Sequence, residues 1–234
     1  MANTSKNDIF RSPNLIGMAA IIAFAGLFSL AILGILASVL MIVSPDSNFE
    51  LPSGETMDTA WFLVSIVALF QLGLRILCII FFLVWLYRAF NNLPVIGARN
   101  LQFSPGWAVG WWFIPFANLV QPYKIVKELY RESHVAALRA SPVPSTENVG
   151  LWWGMFLTSG FALRVSDSMV GSNSTGPSRY FPVAYLVGQM LFAAASVYVI
   201  LIIKYVSSWQ TEAFRTRLPL KTHLPPPPPI FDHN

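Results

Sequence analysis

Arg75 is the one ionisable residue in an otherwise uncharged apolar run, Ala60 to Leu86. An ionised side chain near the middle of a membrane span costs at least about 2.5 to 3.5 kcal/mol, so it turns toward protein or water. Gln71 stands four residues before it and Cys78 three after, so these share one helical face with Ala68 and Phe82. Together with Asn118, Gln121 and Gln189, the residues Gln71 and Arg75 make a candidate intramembrane polar site. Its chemistry would be capture of an anionic head group, solute or partner, or the lining of a pathway. The simpler expectation is structural: Arg75 binds carbonyls freed by Pro115 and ties the bundle together, while the amides cap broken backbone ends. Arg164 and Asp167, three apart, have the spacing of a local ion pair. A snorkelling pair is the plainer reading than a proton or ion relay.

Signatures of catalysis were sought without success. HExxH, GxSxG and paired intramembrane aspartates do not occur, and His134, His223 and His233 are spread over one polar helix and the tail. Zinc or haem needs convergent ligands, which this spacing does not offer. The expectation is therefore no enzyme, no catalytic residue, no metal and no cofactor; His223 and Asp232-His233 would bind metal only adventitiously. Cys78 is the single cysteine, so no intramolecular disulfide framework is possible.

The elements that must position these residues are apolar helices. The chain is 55% hydrophobic and 11% charged, against roughly 25% charged in a soluble domain. A charge of +4 is explained by basic cytoplasmic loops, with no nucleic-acid motif to support another reading. The run Leu15 to Val43 would be roughly 43 Å long as a helix, more than a bilayer core of about 30 Å. It is too long for the apolar part of a signal peptide and reads as a retained anchor. Residues 44–59 carry Asp46, Glu50, Glu55 and Asp58 with Pro45, Pro52 and Gly54, an acidic external loop. The Ala60 to Leu86 span is flanked by Trp61, Trp85 and Tyr87 in the manner of interfacial belts. Val149 to Val170 and Val183 to Ile203 are the remaining spans.

Residues 105–122 differ. Pro105, Gly106, Trp107, Gly110, Trp111, Trp112, Pro115 and Pro122 make a short aromatic stretch that prolines break, and a straight 20-residue helix is excluded. Trp107 and Trp111 share a face suited to head-group anchoring, with an aromatic cage for a cation as the alternative. Gly106 and Gly110 form a small-xxx-small pair that would permit close helix approach. Residues 123–139 have apolar positions three and four apart between Lys124, Lys127, Glu128, Arg131 and Glu132, which predicts a helix along the membrane surface.

Charge bias decides the topology. If 105–122 does not cross, Lys6, Arg11, Arg88, Arg99, Lys124, Lys127, Arg131, Arg139, Lys204, Arg215, Arg217 and Lys221 fall inside, and only Arg179 falls outside. A fifth crossing would reverse most of these. The positive-inside rule favours the former. The expected fold class is thus all-α, a polytopic transmembrane bundle with four spans plus a proline-broken re-entrant or interfacial segment, five spans being the alternative. Both termini would be cytoplasmic. Residues 1–14 form an N-terminal tail, 15–215 the transmembrane domain and 216–234 a proline-rich tail whose run 225–229 favours polyproline II and offers a docking strand or a plain spacer. Asn173-Ser174-Thr175 matches a glycosylation acceptor.

Leu101-Gln102-Phe103-Ser104-Pro105-Gly106-Trp107-Ala108-Val109-Gly110-Trp111-Trp112-Phe113-Ile114-Pro115-Phe116-Ala117-Asn118-Leu119-Val120, then Pro122-Tyr123 and Glu128-Leu129, resemble the signature of a bacterial membrane family designated domain of unknown function four-three-two-eight. Tyr87 to Leu93 and Trp152-Trp153 extend the resemblance over about residues 60–215. It implies a multi-span domain of a bacterial cytoplasmic membrane and carries no catalytic residues with it. The functional expectation is a non-enzymatic assembly or scaffold component in contact with lipid, pairing with itself or with other membrane proteins. The alternative is a small transporter or channel at Arg75 and Pro115, distinguished by a polar-lined cavity where a scaffold would show Arg75 saturated by carbonyls.

Overall fold

A computed structural model describes residues 10–44, 48–50, 56–137, 145–169 and 180–222. The run 225–229, the 173–175 acceptor, Lys6, Arg139, Arg179, His223 and His233 lie outside the described residues, as does the side chain of Trp61.

The architecture is an all-α helical bundle. Helix α1 is Asn14–Val43, α2 is Thr59–Val95, α3 is Pro105–Gly110, α4 is Gln121–Ala137, α5 is Glu147–Ser168 and α6 is Phe181–Thr222. Three of them, α1, α2 and α6, are long and apolar enough to cross a membrane by length and composition. Helix α5, with 22 residues, is about 33 Å long. It is less apolar than those three.

Two boundaries differ from the sequence reading. Helix α2 continues past Leu86 to Val95, and α6 continues past Ile203 to Thr222, so 216–222 is helix rather than tail. Polar residues hid both extensions, yet each keeps a buried face: Ala89, Phe90 and Leu93 in α2, Val206, Gln210 and Ala213 in α6. The acidic loop also contains a small antiparallel hairpin, β1 Asn48–Glu50 and β2 Thr56–Asp58, with Phe49 opposite Met57. Three-residue strands carry too little alternation to be read from a sequence.

Helix α2 ends where Pro94 can no longer extend it. Ala98 N donates to Leu93 O at 2.9 Å and Gly97 N to Pro94 O at 3.0 Å, with Gly97 at φ +91°. This is a Schellman cap. The Arg217 guanidinium occupies the space beside Gly97, with Nη1 2.0 Å from where a Cβ would stand.

Helix directions follow from paired positions. Added Cβ atoms would meet Ser207 Oγ at 3.0 Å from Gly17 and Gln189 at 3.1 Å from Gly34, so α1 runs antiparallel to α6 at close range. Gln71 bonds Gln189 and Trp85 bonds Ser207, so α2 runs parallel to α6. Leu163 sits against Gly188, and Met169 packs by Phe181 and Tyr185, so α5 is antiparallel to α6. The order across the bundle is α2, α1, α6, α5, and α2 and α5 scarcely touch.

The start of α1, the end of α2, the start of α5 and the end of α6 therefore share one end of the bundle, together with Arg11, Arg88, Arg99, Lys124, Lys127, Arg131, Arg215 and Arg217. Buried amides lock it. Asn92 Nδ2 donates to Arg11 O at 2.9 Å and Gln210 Oε1 at 3.1 Å, and Gln210 Nε2 donates to Ala89 O at 2.9 Å and Ser133 Oγ at 3.0 Å. Every member finds a partner, so burial of these polar groups is compensated.

Helix α4 lies across this end, but its apolar face does not meet lipid as the surface-helix reading expected. Ile125, Val126, Leu129 and Tyr130 are buried in the same core as Leu86, Phe90 and Ile203. His134 is also buried, edge-on to Trp209 at 4.9 Å, and burial holds its imidazole below the ordinary range. The spacing rule found the apolar stripe without specifying whether protein or lipid covers it.

Candidate functional site

The segment after α2 is assembled from short turns, each with a local cause. Ser104 is extended and its hydroxyl accepts from Trp107 N at 3.4 Å, with Pro105 opening α3. One six-residue helix is followed by a 3-10 turn, Trp111–Phe113. Ile114 then has φ −92° and ψ 116°, the extended state that a residue before proline prefers. Phe116 takes φ +63° and ψ −44°, with Ala117 N donating to Pro115 O at 2.7 Å, a strained γ-turn. A second 3-10 turn, Ala117–Leu119, leads into α4, where Pro122 lies in the first turn.

Both flanks of this segment are tied together. Glu128 Oε1 on α4 accepts from Gln102 N at 2.6 Å and its Oε2 accepts from Phe103 N at 3.3 Å. The chain thus enters and leaves at the same end of the bundle. Between these ties, the Trp112 ring stands edge-on to Phe82 of α2 at 5.3 Å and to Trp153 of α5 at 5.7 Å. Trp153 Nε1 donates to Leu119 O at 2.8 Å. The segment bridges α2 and α5 at the basic end and leaves the gap between them open further along.

That gap is a cavity of about 280 Å³. Phe24 and Leu27 of α1 and Phe192 of α6 form its back. Cys78 and Phe82 of α2 and Phe156 and Leu163 of α5 form its sides, and Trp112 closes the basic end. Ile79, 56% exposed, and Phe156, 38% exposed, stand at its edge, so the mouth is lateral, between α2 and α5. Gly160 is on the wall, and a Cβ there would meet nothing within 4 Å.

Arg75 is the charged residue of this wall. Its guanidinium carbon lies 5.0 Å from the Phe192 ring centroid, a cation–π contact. Among the described residues its one hydrogen bond runs from Nη2 to Gln71 Oε1 at 3.5 Å, and its Nε, though buried, has no partner. Gln71 and Gln189 face each other, Nε2 to Oε1 at 3.2 and 3.3 Å. The Tyr185 hydroxyl and the Asp167 carboxylate lie within electrostatic reach of Arg75. Trp112 Nε1 is a second buried donor without a partner.

The structure therefore gathers Gln71, Arg75 and Gln189 and separates them from Asn118 and Gln121. Those two belong to the turn beside Trp153, level with Phe82, which is eleven residues or about 16 Å along α2 from Gln71. Arg75 binds no carbonyl freed by Pro115. Arg164 and Asp167 do not pair within 4.0 Å; both are exposed, and Asp167 lies instead within electrostatic reach of Arg75 and Tyr185. Gly106 has open space around it and Gly110 meets only the Trp107 ring, so no helix uses this pair for close approach. The Trp107 and Trp111 rings pack on each other at 5.3 Å rather than forming a cage around a cation. The remaining wall residues, Trp152, Phe156, Gly160 and Leu163, carried no sequence signal that separates a cavity wall from a packed core.

A helical bundle with three helices able to span a membrane and an interior cleft defines a membrane protein. Residues 50–208 match the family described as Domain of unknown function (DUF4328), and since this is more than half of the chain, the protein belongs to that family. Helix α1, which supplies the back of the cavity, precedes the matched region. No curated protein and no solved structure gives a significant match to the chain.

Proposed function

We propose that this chain is a non-enzymatic protein of a bacterial cytoplasmic membrane, crossing four times with both termini inside, that holds a small lipid-like ligand in the cleft between α2 and α5. One observation carries the reading: Arg75 borders a cavity at membrane depth with its Nε unpartnered and no carbonyl accepting from it among the described residues. A pure scaffold would saturate that guanidinium within protein. An ion or solute pathway would need polar walls, and this wall is aromatic and aliphatic apart from Arg75, Ser159 and the Cys78 thiol. Assembly with other membrane components remains compatible with the outward apolar face of α2, where Leu69, Phe70 and Leu72 are exposed.

Gly160→Phe tests the cleft, because the added ring would fill the cavity from a position with no neighbour to displace. Native mass spectrometry in mild detergent should show a small-molecule adduct on the wild type and a bare mass for the variant. The same adduct on both proteins, or none on either, contradicts the proposal.

A further inference from the structure

We infer that the ligand of this cleft is a single-chain amphiphile with a carboxylate head, its carboxylate on Arg75 and its alkyl chain in the cavity. The inference rests on the reading of the cleft as a binding site and adds the chemical class of its occupant.

Charge selects the head. Among the described residues the one ion pair within 4.0 Å is Arg131 with Glu132, on α4. Arg75 thus has no carboxylate in contact, Asp167 acting on it only at longer range, and a membrane-depth cation without a contact anion is unfavourable. A ligand anion supplies the missing charge. Geometry narrows the anion further: a planar guanidinium binds a carboxylate through two parallel N–H donors. Nε is buried out of reach, whereas Nη1 carries no hydrogen bond among the described residues and is not among the buried orphan atoms, and Nη2 is held only by the 3.5 Å contact to Gln71, so the terminal edge of the fork is the one open to two oxygens.

Volume and shape select the body. A cavity of about 280 Å³ is roughly twice the 150 Å³ apolar cavity that takes one benzene ring. That admits a stretch of alkyl chain. The walls beyond Arg75, Ser159 and Cys78 are hydrocarbon and aromatic rings, and the mouth between Ile79 and Phe156 faces sideways, toward bilayer tails, when the helices span. An amphiphile already dissolved in the membrane reaches such a mouth without crossing water.

The experiment uses the full chain in phosphatidylcholine nanodiscs at about pH 8, well above the ordinary carboxyl value. A bromo-substituted fatty acid and its methyl ester are titrated separately, and saturable quenching of tryptophan fluorescence is read, since Trp112 and Trp152 line the cavity. The wild type should bind the acid about tenfold more tightly than the ester, a difference of about 1.4 kcal/mol. Arg75→Gln should bring the acid to the level of the ester, Arg75→Lys should keep a preference for the acid, and Gly160→Phe should abolish saturable quenching by both. Equal binding of acid and ester by the wild type overturns the carboxylate assignment without needing any variant, and so does an Arg75→Gln protein that still prefers the acid. If Gly160→Phe quenches as the wild type does, the cleft itself is not the site.

Discussion

Gly188→Leu is expected to pry α5 from α6 and to cost about 3 kcal/mol, the upper part of the usual range for overpacking a core. Even a methyl at Gly188 would lie 2.7 Å from Leu163 Cδ2 and 2.8 Å from its Cγ. Leu163 N is 3.3 Å away, so backbone as well as side chain must give. Leu163 also lines the cavity, and its displacement should remove ligand binding along with stability. Thermal unfolding in detergent would show a lowered midpoint, while Gly154→Leu, with open space around its Cα, should unfold as the wild type does. Equal midpoints for Gly188→Leu and wild type would show that α5 and α6 do not approach closely here.

Removal of the Glu128 carboxylate should have the next largest effect. Two backbone N–H groups, from Gln102 and Phe103, end on its two oxygens. Hydrogen bonds to a charged group contribute about 1.5 to 3 kcal/mol each, and the exposure of the Gln102 bond lowers its share. Glu128→Ala should therefore destabilise by about 2 kcal/mol and free the entry to the broken segment, with Trp112 losing its seat against Phe82 and Trp153. Glu128→Gln keeps one acceptor and should recover part of the loss. The measurement is the thermal midpoint together with chymotrypsin cleavage near Phe113 and Phe116, both exposed. Unchanged cleavage in Glu128→Ala would mean that the segment holds its course without the clamp.

The sequence disclosed those features that one chemical type determines. Uncharged length disclosed α1, α2 and α6, and proline with glycine disclosed the break at 105–122. The lone charge in an apolar run disclosed Arg75, and helical spacing placed Cys78 and Phe82 beside it. Features fixed by partners elsewhere in the chain stayed hidden. The ends of α2 and α6 run on because Asn92 meets Arg11, just before α1, and Gln210 meets Ser133 of α4, and nothing in a polar stretch announces such partners. Asn118 and Gln121 have the same chemistry as Gln71 and Gln189; only the depth of the turn that carries them separates the two sets. The cleft itself is an absence of contact between α2 and α5, and a wall made of Phe, Trp, Leu and Gly reads in sequence as an ordinary core.

If the broken segment turns back at the basic end, the bundle crosses four times with the cleft inside it. Single cysteines at Ser145, just before α5, and at Tyr180, just before α6, both exposed, test this with a membrane-impermeant maleimide, Cys78 being buried. The residue 180 variant should label from outside intact cells and the residue 145 variant only after permeabilisation; labelling of both from the same side would rule out four crossings.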